Sequence, residues 1–332
     1  MRTLIGAAAV WLLCVSVVSP GQAEEFTGGG PLPVRNFQPI QLIFLNLPFE
    51  RAQVLAPAEF ELHLDSAESN EIATNQEDVQ ALLKFETNRT VLGGSVGVMR
   101  GLEVGLDVPF ISRFGGFLDP FVDAVEDLFH TSNPERKLFP HNTFGGFHVE
   151  RGGVVLFDGP KEQFEIGDVW ASAKYLAWQP EGFPQVALRG AVKFPTGRAS
   201  AVFGSGKPDF GLGLAAEQQF LPWLIAYGNL DVVYPVGPIT PDRRTLNPIL
   251  QEGVAGEAQI MRRVSVLLQQ ETYTSPIHGT KTRLLDGTVV ELAGGFNVVY
   301  DPVLFQIGVI DNISPVATAA DLTVLVRLTY RR

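Results

Sequence analysis

Cysteine is almost absent from this sequence of 332 residues, and its one occurrence, Cys14, lies in the N-terminal stretch. Residues 1–23 have the pattern of an export signal: basic Arg2, an uncharged apolar run over 4–18, and small residues before a cleavage point after Ala23. We expect this signal peptide to be removed. The exported chain then has no thiol, which excludes disulfides and thiolate metal sites.

Basic residues and long apolar runs are also scarce. Without the signal peptide, the chain has 24 basic and 36 acidic residues, a net charge of −12. This acidic balance argues against nucleic acid as a partner. After residue 23 there is no uncharged apolar run of the roughly 18 residues that a membrane-spanning helix needs. Yet hydrophobic residues make up 45% of the sequence, and with 34 glycines this composition indicates a transmembrane β-barrel.

Several segments alternate between apolar and polar or small residues, as strands do when one face lies in lipid and the other in a barrel lumen. The clearest segments are 59–65, 102–110, 185–194, 209–217 and 322–330. Weaker strands are expected near 88–99, 167–178, 224–234, 250–261, 264–273, 288–300 and 303–311. The sequence therefore predicts an all-β fold, a transmembrane antiparallel up-and-down β-barrel of about twelve strands over residues 58–332.

The connections between these strands alternate in length. Short turns occur at 100–101, 179–184, 221–222, 262–263 and 301–302. Long polar connections occur at 66–78, 112–166, 195–208, 235–248 and 275–287. Short periplasmic turns and long extracellular loops are typical of outer-membrane barrels, whereas a soluble β-sandwich, the competing fold, would make this alternation accidental. Residues 79–87 either extend the second strand or belong to a loop.

Aromatic residues near the strand ends predict two girdles at the level of the lipid headgroups. The last strand also resembles the C-terminal sorting signal of outer-membrane proteins, although Arg331 and Arg332 follow Tyr330 where a terminal Phe is usual. We therefore expect the barrel-assembly machinery to insert the chain into the outer membrane of a Gram-negative bacterium, with outer-membrane lipid around it. The expected girdles comprise Trp178, Trp223, Tyr300 and Tyr330 at one end, and Phe110, Phe194, Tyr234 and Tyr273 at the other.

Two segments outside the strands are candidates to fill or narrow the barrel. In the long loop 112–166, Asp119 and the proline after it predict the start of a short amphipathic helix. This helix either constricts the barrel mouth or packs on its rim. Residues 24–57 either enter the lumen as a second plug or form an ordered tail along its wall. The helix residues expected to form the constriction are Phe121, Val125 and Phe129.

The inward positions of the strands collect ionisable residues. In a water-filled lumen such charges set the selectivity for a small solute. The alternative is a ladder of salt bridges that fills a narrow barrel and seals it, and a width of about twelve strands does not decide between the two. The predicted lumen-lining residues are Glu103, Asp107, Lys174, Arg189, Lys193, Glu217, Asp231, Glu257, Glu291 and Arg327, with Glu271 on the same criterion.

Catalysis is a weaker alternative that centres on His63, which lies between Glu61 and Asp65 on one strand face. A carboxylate-oriented base could activate a hydroxyl or a water, but Ser66 points to the opposite face if the strand continues. The remaining histidines lack metal-ligand spacing. We therefore expect neither an enzyme nor a cofactor nor a metal site, with an outer-membrane hydrolase that uses His63 as the alternative.

Several short motifs resemble a domain-of-unknown-function family of proteobacterial outer-membrane proteins, and the resemblance covers nearly all of the exported chain. The Lys-x-Pro-Thr-Gly stretch at 193–197 is also similar to outer-membrane proteins of phenol-degradation pathways and, more distantly, to fatty-acid-transporter-type barrels. This resemblance implies a barrel and the uptake of small, apolar molecules, and it transfers no functional residues. The motifs are 33–36, 115–119, 127–129, 167–169, 193–197 and 204–206 with Asp209.

The sequence thus leads to three hypotheses of function. The first is a narrow channel or uptake barrel for a small solute. The second is a sealed structural or interaction barrel whose outer loops bind a partner, and the third is a barrel hydrolase.

Overall fold

The computed structural model describes residues 26–76, 78–129, 134–280, 282–314 and 318–332. The expected signal peptide and Cys14 lie outside this part of the chain. Within it, in chain order, the elements are β1 (Phe60–Ala73), β2 (Val79–Met99), β3 (Leu102–Phe114), α1 (Asp119–Phe129), β4 (Gly146–Arg151), β5 (Val154–Asp158), β6 (Glu162–Ile166), β7 (Val169–Trp178), β8 (Gln185–Phe194), β9 (Asp209–Leu221), β10 (Leu224–Pro235), β11 (Ile249–Met261), β12 (Val264–Tyr273), β13 (Val289–Tyr300), β14 (Val303–Asn312) and β15 (Leu322–Arg331).

All these strands except β4, β5 and β6 form a closed antiparallel barrel, which confirms the predicted fold and strand number. Each barrel strand pairs with its neighbours in chain order, and β7 follows β3 around the wall. The barrel closes where β1 pairs with β15, with Glu61 opposite Arg331. Below, the end with the short turns is called the turn end, and the end with the long connections the loop end.

The alternation in the sequence becomes an apolar outer face and a polar inner face. In β9, for example, Phe210, Leu212 and Leu214 are 48%, 63% and 41% exposed. Asp209 and Gly211, which alternate with them, are buried. A soluble sandwich would expose its polar residues, so this inverted arrangement is that of a barrel surrounded by lipid.

The aromatic girdles are formed in part. Trp178, Trp223 and Tyr300 are exposed at the turn end, and Phe194 is exposed at the loop end. The prediction for Tyr273 is wrong, because this residue shares the inward parity of β12. Inside the barrel its hydroxyl donates a hydrogen bond to the carboxylate of Glu271. Tyr234 at the loop end is half exposed, as a girdle residue should be.

The outer part of the first hairpin is longer than the sequence suggested. Residues 66–78 were expected to be a connection, but β1 continues to Ala73 and pairs with β2, whose first half is the ambiguous segment 79–87. The error has a physical cause. Ser69, Asn70 and Glu71 are polar but buried, because the loop between β3 and β7 covers them.

That loop contains α1 together with β4, β5 and β6. Helix α1 begins at Asp119, as predicted, and lies on the rim, where Leu118 and Val122 pack against Leu322 of β15. Phe121 is 46% exposed, and Val125 is partly buried. The side chain of Phe129 lies outside the described part of the structure. No helix in the described residues has the length and apolar character needed to cross a membrane.

Asp119 connects this loop to the barrel. Its carboxylate lies 2.5 Å from Lys84 Nζ and 3.3 Å from the guanidinium of Arg136, and it accepts hydrogen bonds from Asn70 and from the backbone N–H of Asn142. Burial alone would raise the pKa of Asp119, but these donors outweigh it and lower the pKa. The carboxylate is therefore held in its charged form.

Asp119→Asn should detach the outer loop, because it leaves the ammonium of Lys84 buried without its partner. Breaking a buried ion pair costs about 3 kcal/mol or more. We expect faster protease cleavage within 115–168 and a lower urea midpoint, both measured on the refolded barrel. Asp127→Asn, which removes the same charge from an exposed position of α1, is the matched control, and equal behaviour of the two variants would contradict this role.

Candidate functional site

The lumen of the barrel is occupied by residues 26–57, here called the lumen segment. It enters at the turn end, where the backbone N–H groups of Gly29 and Gly30 donate hydrogen bonds to Glu257 over 2.8 and 3.0 Å. It then rises through the lumen, and the N–H of Leu32 donates to Gln269 halfway up the wall. The segment therefore crosses the barrel as a chain without regular strands.

The lumen segment turns near the loop end and descends. The N–H of Leu45 donates to Asp209 over 2.9 Å at the top, and the N–H of Ala52 donates to Glu217 over 3.1 Å near the bottom. Backbone groups buried away from water need partners. Wall side chains supply them here, which explains how a segment whose regular structure is limited to a 3-10 helix at Gln41–Ile43 remains inside a barrel.

Glu257 of β11 is the most heavily used of these wall acceptors. Besides the two glycine N–H groups, its carboxylate accepts hydrogen bonds from the hydroxyls of Tyr227 and Ser265 and from the amide of Asn297. Five donors thus converge on one carboxylate, and two of them belong to the lumen segment. Glu257 links three wall strands to the point at which the segment enters.

Glu50 of the lumen segment lies between two cations of the wall. Its carboxylate is 3.0 Å from Lys174 Nζ and 3.1 Å from Arg189 Nη1. Enclosure in the lumen opposes ionisation, but the two cations outweigh it and lower the pKa of Glu50. Arg51 pairs with Glu217 over 2.9 Å. The descending half of the segment is therefore held by charge.

Near the loop end, Lys193 is the centre of a third anchor. Its ammonium lies 3.0 Å from Asp168 and 2.8 Å from Asp209, and it donates hydrogen bonds to Ser205 and to the carbonyl of Ile43 in the lumen segment. These wall residues belong to the motifs that carried the family resemblance. The motif residues therefore hold the top of the lumen segment, through the hydrogen bond from Lys193 to the carbonyl of Ile43.

Apolar packing closes the lumen at the loop end. Ile40, Ile43 and Phe44 at the top of the lumen segment belong to one buried cluster with residues of the outer loops and of β2, β4 and β5. Close packing of this kind leaves no room for water. The loop residues and strand residues in the cluster include Ile277, Leu284, Leu285, Leu83, Phe85, Phe147, Val149 and Phe157.

Below this closure, a cavity of about 160 Å³ remains between the lumen segment and the wall of β14, β15, β1, β2, β3, β7 and β8. Ion pairs lie along it, among them Arg327 with Asp65 over 3.3 Å and Lys174 with Glu103 over 3.0 Å. His63 Nε2 lies 2.8 Å from a carboxylate oxygen of Asp107. The charged and aromatic wall residues that line the cavity include Glu61, His63, Asp65, Arg89, Glu103, Asp107, Trp170, Lys174, Arg189 and Arg327.

The predicted lumen residues all lie on the inner side of the wall, and five of them line the cavity. Glu217 and Glu257 hold the lumen segment, and Lys193 lies at the loop end. Asp231 pairs with Arg189, and Glu291 is buried near Glu271 and Arg35. The five that line the cavity are Glu103, Asp107, Lys174, Arg189 and Arg327, and Glu103 pairs with Lys174 over 3.0 Å.

The lumen residues predicted from the sequence did not include Arg35, Glu50 and Arg51 of the lumen segment or Arg89 of β2. The first three lie in a proline-interrupted stretch without periodicity, so no pattern marked their direction. The direction of Arg89 could have been predicted. In a strand, alternate residues face the same side, so Arg89 faces inward together with Val91 and Gly93.

The structure also separates the residues of the hydrolase alternative. His63 contacts Asp107 on β3, whereas the hydroxyl of Ser66 lies 3.3 Å from that of Thr90. Among the described residues, no group of histidine, aspartate and glutamate side chains is arranged to hold a metal ion. The α1 residues Phe121 and Val125 are not part of the cavity wall.

Comparisons with known proteins agree with this architecture. A family model described as "Protein of unknown function (DUF3187)" matches residues 7–332. The COG4313 outer membrane channel from Pseudomonas putida F1 is similar in structure, with a TM-score of 0.58 at 11% identity, over 84% of this chain and 97% of that one. At this identity the likeness shows the fold, which is that of an outer-membrane barrel.

Two further solved structures are more remote. The NanC porin has a TM-score of 0.47 at 8% identity, over 81% of this chain and 97% of its own. A mutant of TodX, a monoaromatic hydrocarbon channel, has a TM-score of 0.40 at 10% identity, over 85% and 91%. No curated protein matches the chain.

Proposed function

The chain belongs to the DUF3187 family of proteins of unknown function, and on that premise we propose that it is an outer-membrane uptake barrel whose lumen segment opens and closes the passage of a small solute. It is not an enzyme in this proposal. The apolar outer face supports a location in lipid, and the barrel fold together with the N-terminal export pattern supports the outer membrane of a Gram-negative bacterium.

One observation carries the proposal: the lumen segment is joined to the wall by charged and polar contacts along most of its length. Replacing buried ion pairs by apolar residues is often neutral or stabilising, so a permanent filling has no need of them. Water can take over such contacts when the segment moves. The polar interface between the lumen segment and the wall is therefore what we expect if the segment leaves the lumen and returns to it.

The second candidate, a sealed barrel with binding outer loops, is favoured by the apolar closure at the loop end. In that case the lumen segment would be part of a fixed core. The two candidates differ in what happens when a polar anchor is weakened, because only a displaceable segment responds with current through the barrel.

Weakening the Glu257 anchor is the test. In Glu257→Gln one oxygen becomes a donor, so the side chain can no longer accept all the hydrogen bonds from Gly29, Gly30 and its wall partners. We expect the refolded chain 24–332 to open several times more often than wild type in a planar bilayer. The measurement is the number of single-channel openings per minute.

Glu252→Gln is the matched control, since Glu252 lies on the same strand with its side chain exposed. It should behave as wild type. Each protein must first migrate as a folded, heat-modifiable barrel. If folded Glu257→Gln is as silent as wild type, the sealed barrel replaces the uptake barrel.

A further inference from the structure

The cavity beside the lumen segment contains a guanidinium without a hydrogen-bonding partner. Arg89 of β2 lines the cavity and is 8% exposed. Its guanidinium lies 5.2 Å from the ring centroid of Trp170, over the face of the indole. In the described part of the chain no carboxylate or carbonyl lies within bonding distance of it. A buried guanidinium in this state has five unused donors.

The other lumen cations do not share this state. Lys174, Arg189 and Lys193 each contact two carboxylates, and Arg327 lies 3.3 and 3.4 Å from Asp65 and Glu61. Among the described wall cations that line the cavity, Arg89 is therefore the one without a carboxylate within salt-bridge distance. Arg113 of β3, which lies away from the cavity, also lacks a carboxylate partner, but it donates hydrogen bonds to the carbonyls of Ala201 and Val202.

A second cation reinforces the positive charge at this place. Arg35 of the lumen segment donates hydrogen bonds to the carbonyls of Gln41 and Phe44 and is close enough for its charge to act on that of Arg89. The nearest wall acids, Asp65 and Asp107, also act on the charge of Arg89, but their own contacts are with Arg327 and His63. The upper part of the cavity thus has two arginine side chains, and Arg89 is the one without a carboxylate contact.

The volume limits what the anion can be. A cavity of roughly 150 Å³ holds benzene, so one of about 160 Å³ accepts a solute of single-ring size. Val91, Leu47 and Leu304 give the cavity an apolar side. The engaged carboxylates of Asp65 and Asp107 nearby disfavour a doubly charged anion, which leaves a monoanion with an apolar body.

We propose that this cavity binds a small organic carboxylate of single-ring size, with its carboxylate on the guanidinium of Arg89 and its body against Val91. Arginine and carboxylate match as a two-bond fork. The inference rests on the proposed uptake function only in placing this site on the route of the solute. The binding itself is a separate property of the folded barrel.

Calorimetric titration of the refolded chain 24–332 with benzoate, and with benzamide as its uncharged isostere, tests the proposal. We expect benzoate to bind and benzamide to bind at least about tenfold more weakly, since the charge-assisted hydrogen bonds are lost. Arg89→Gln should weaken benzoate about tenfold and leave benzamide unchanged. Arg89→Lys, which keeps the charge but not the fork, should lie between.

Arg151→Gln is the control, because Arg151 lies in the outer loop, paired with Asp78, and its loss changes the net charge equally. Equal affinities for benzoate and benzamide, no binding of either, or unchanged benzoate binding by Arg89→Gln would overturn the proposal. If Arg89→Gln fails to fold, Arg89→Lys and the benzamide comparison still decide. Should benzoate not bind while Glu257→Gln conducts, the uptake function stands and this site alone is refuted.

Discussion

Deleting residues 26–47 should turn the closed barrel into a conducting pore. This deletion removes the rising half of the lumen segment and its share of the apolar cluster at the loop end, whereas the barrel strands keep all their pairings. A twelve-stranded barrel without its filling is wider than those that side chains alone fill, so we expect single-channel current on the order of ten times that of wild type. Planar-bilayer recording and liposome swelling with small sugars measure it.

The control for this deletion is Phe121→Ala combined with Val125→Ala in α1. These residues were expected from the sequence to constrict the barrel mouth, but the structure places them on the rim and off the cavity wall. The double substitution should leave the current as in wild type. A deletion variant that is folded yet silent, or a control that conducts like the deletion, would show that another element closes the lumen.

Reversing the charge of Glu50 should displace the descending half of the lumen segment. In Glu50→Lys two ion pairs are lost, and a third cation is placed beside Lys174 and Arg189. Because Glu50 faces the cavity, these interactions are partly screened, and together they amount to about 1.4 kcal/mol. This corresponds to roughly a tenfold higher ratio of open to closed time in single-channel records. Glu181→Lys, at an exposed position of a short turn, is the matched control.

Acid provides a second test of the same residue. The pKa of Glu50 is lowered in the folded barrel, so its ion pairs are complete above the usual pKa of a glutamate and are lost as pH falls through the lowered pKa. Wild type should therefore stay closed from neutral pH to mildly acidic pH and open more often once the pH falls below the lowered pKa of Glu50. Glu50→Gln should open more often at neutral pH and lack that additional acid response. An identical acid response in both proteins would assign it to another group.

The barrel was predictable because its signal is local. A strand between lipid and lumen must alternate its residues with period two, and β9 does so from Asp209 to Leu214. Helix α1 was predictable for the same reason, since Asp119, the proline after it and helical spacing define its start within a few residues. In both kinds of element, residues at a fixed spacing along the chain have the same surroundings, so the sequence pattern itself reveals the element.

The lumen segment was harder to predict because its partners are distant in the chain. Gly29 and Leu45 are held through their backbone N–H groups by Glu257 and Asp209. Because every residue except proline has such an N–H group, the residue types at 29 and 45 do not reveal these contacts. The sequence therefore left open whether 24–57 enters the lumen. Burial of polar side chains was misleading in the same way, since Asn70 lies beneath the outer loop although its type suggested solvent.

The position of the lumen segment before β1 in the chain has a consequence for assembly. Closing the barrel joins β1 to β15, so residues about as far apart in sequence as Glu61 and Arg331 must meet, and such long-range pairing is slow. The lumen segment precedes β1, so its contacts with Glu217 of β9 and Glu257 of β11 are also long-range. These two carboxylates can meet their backbone partners only when the segment lies between the strands, so we expect the segment to be enclosed as the barrel closes rather than threaded into a finished barrel.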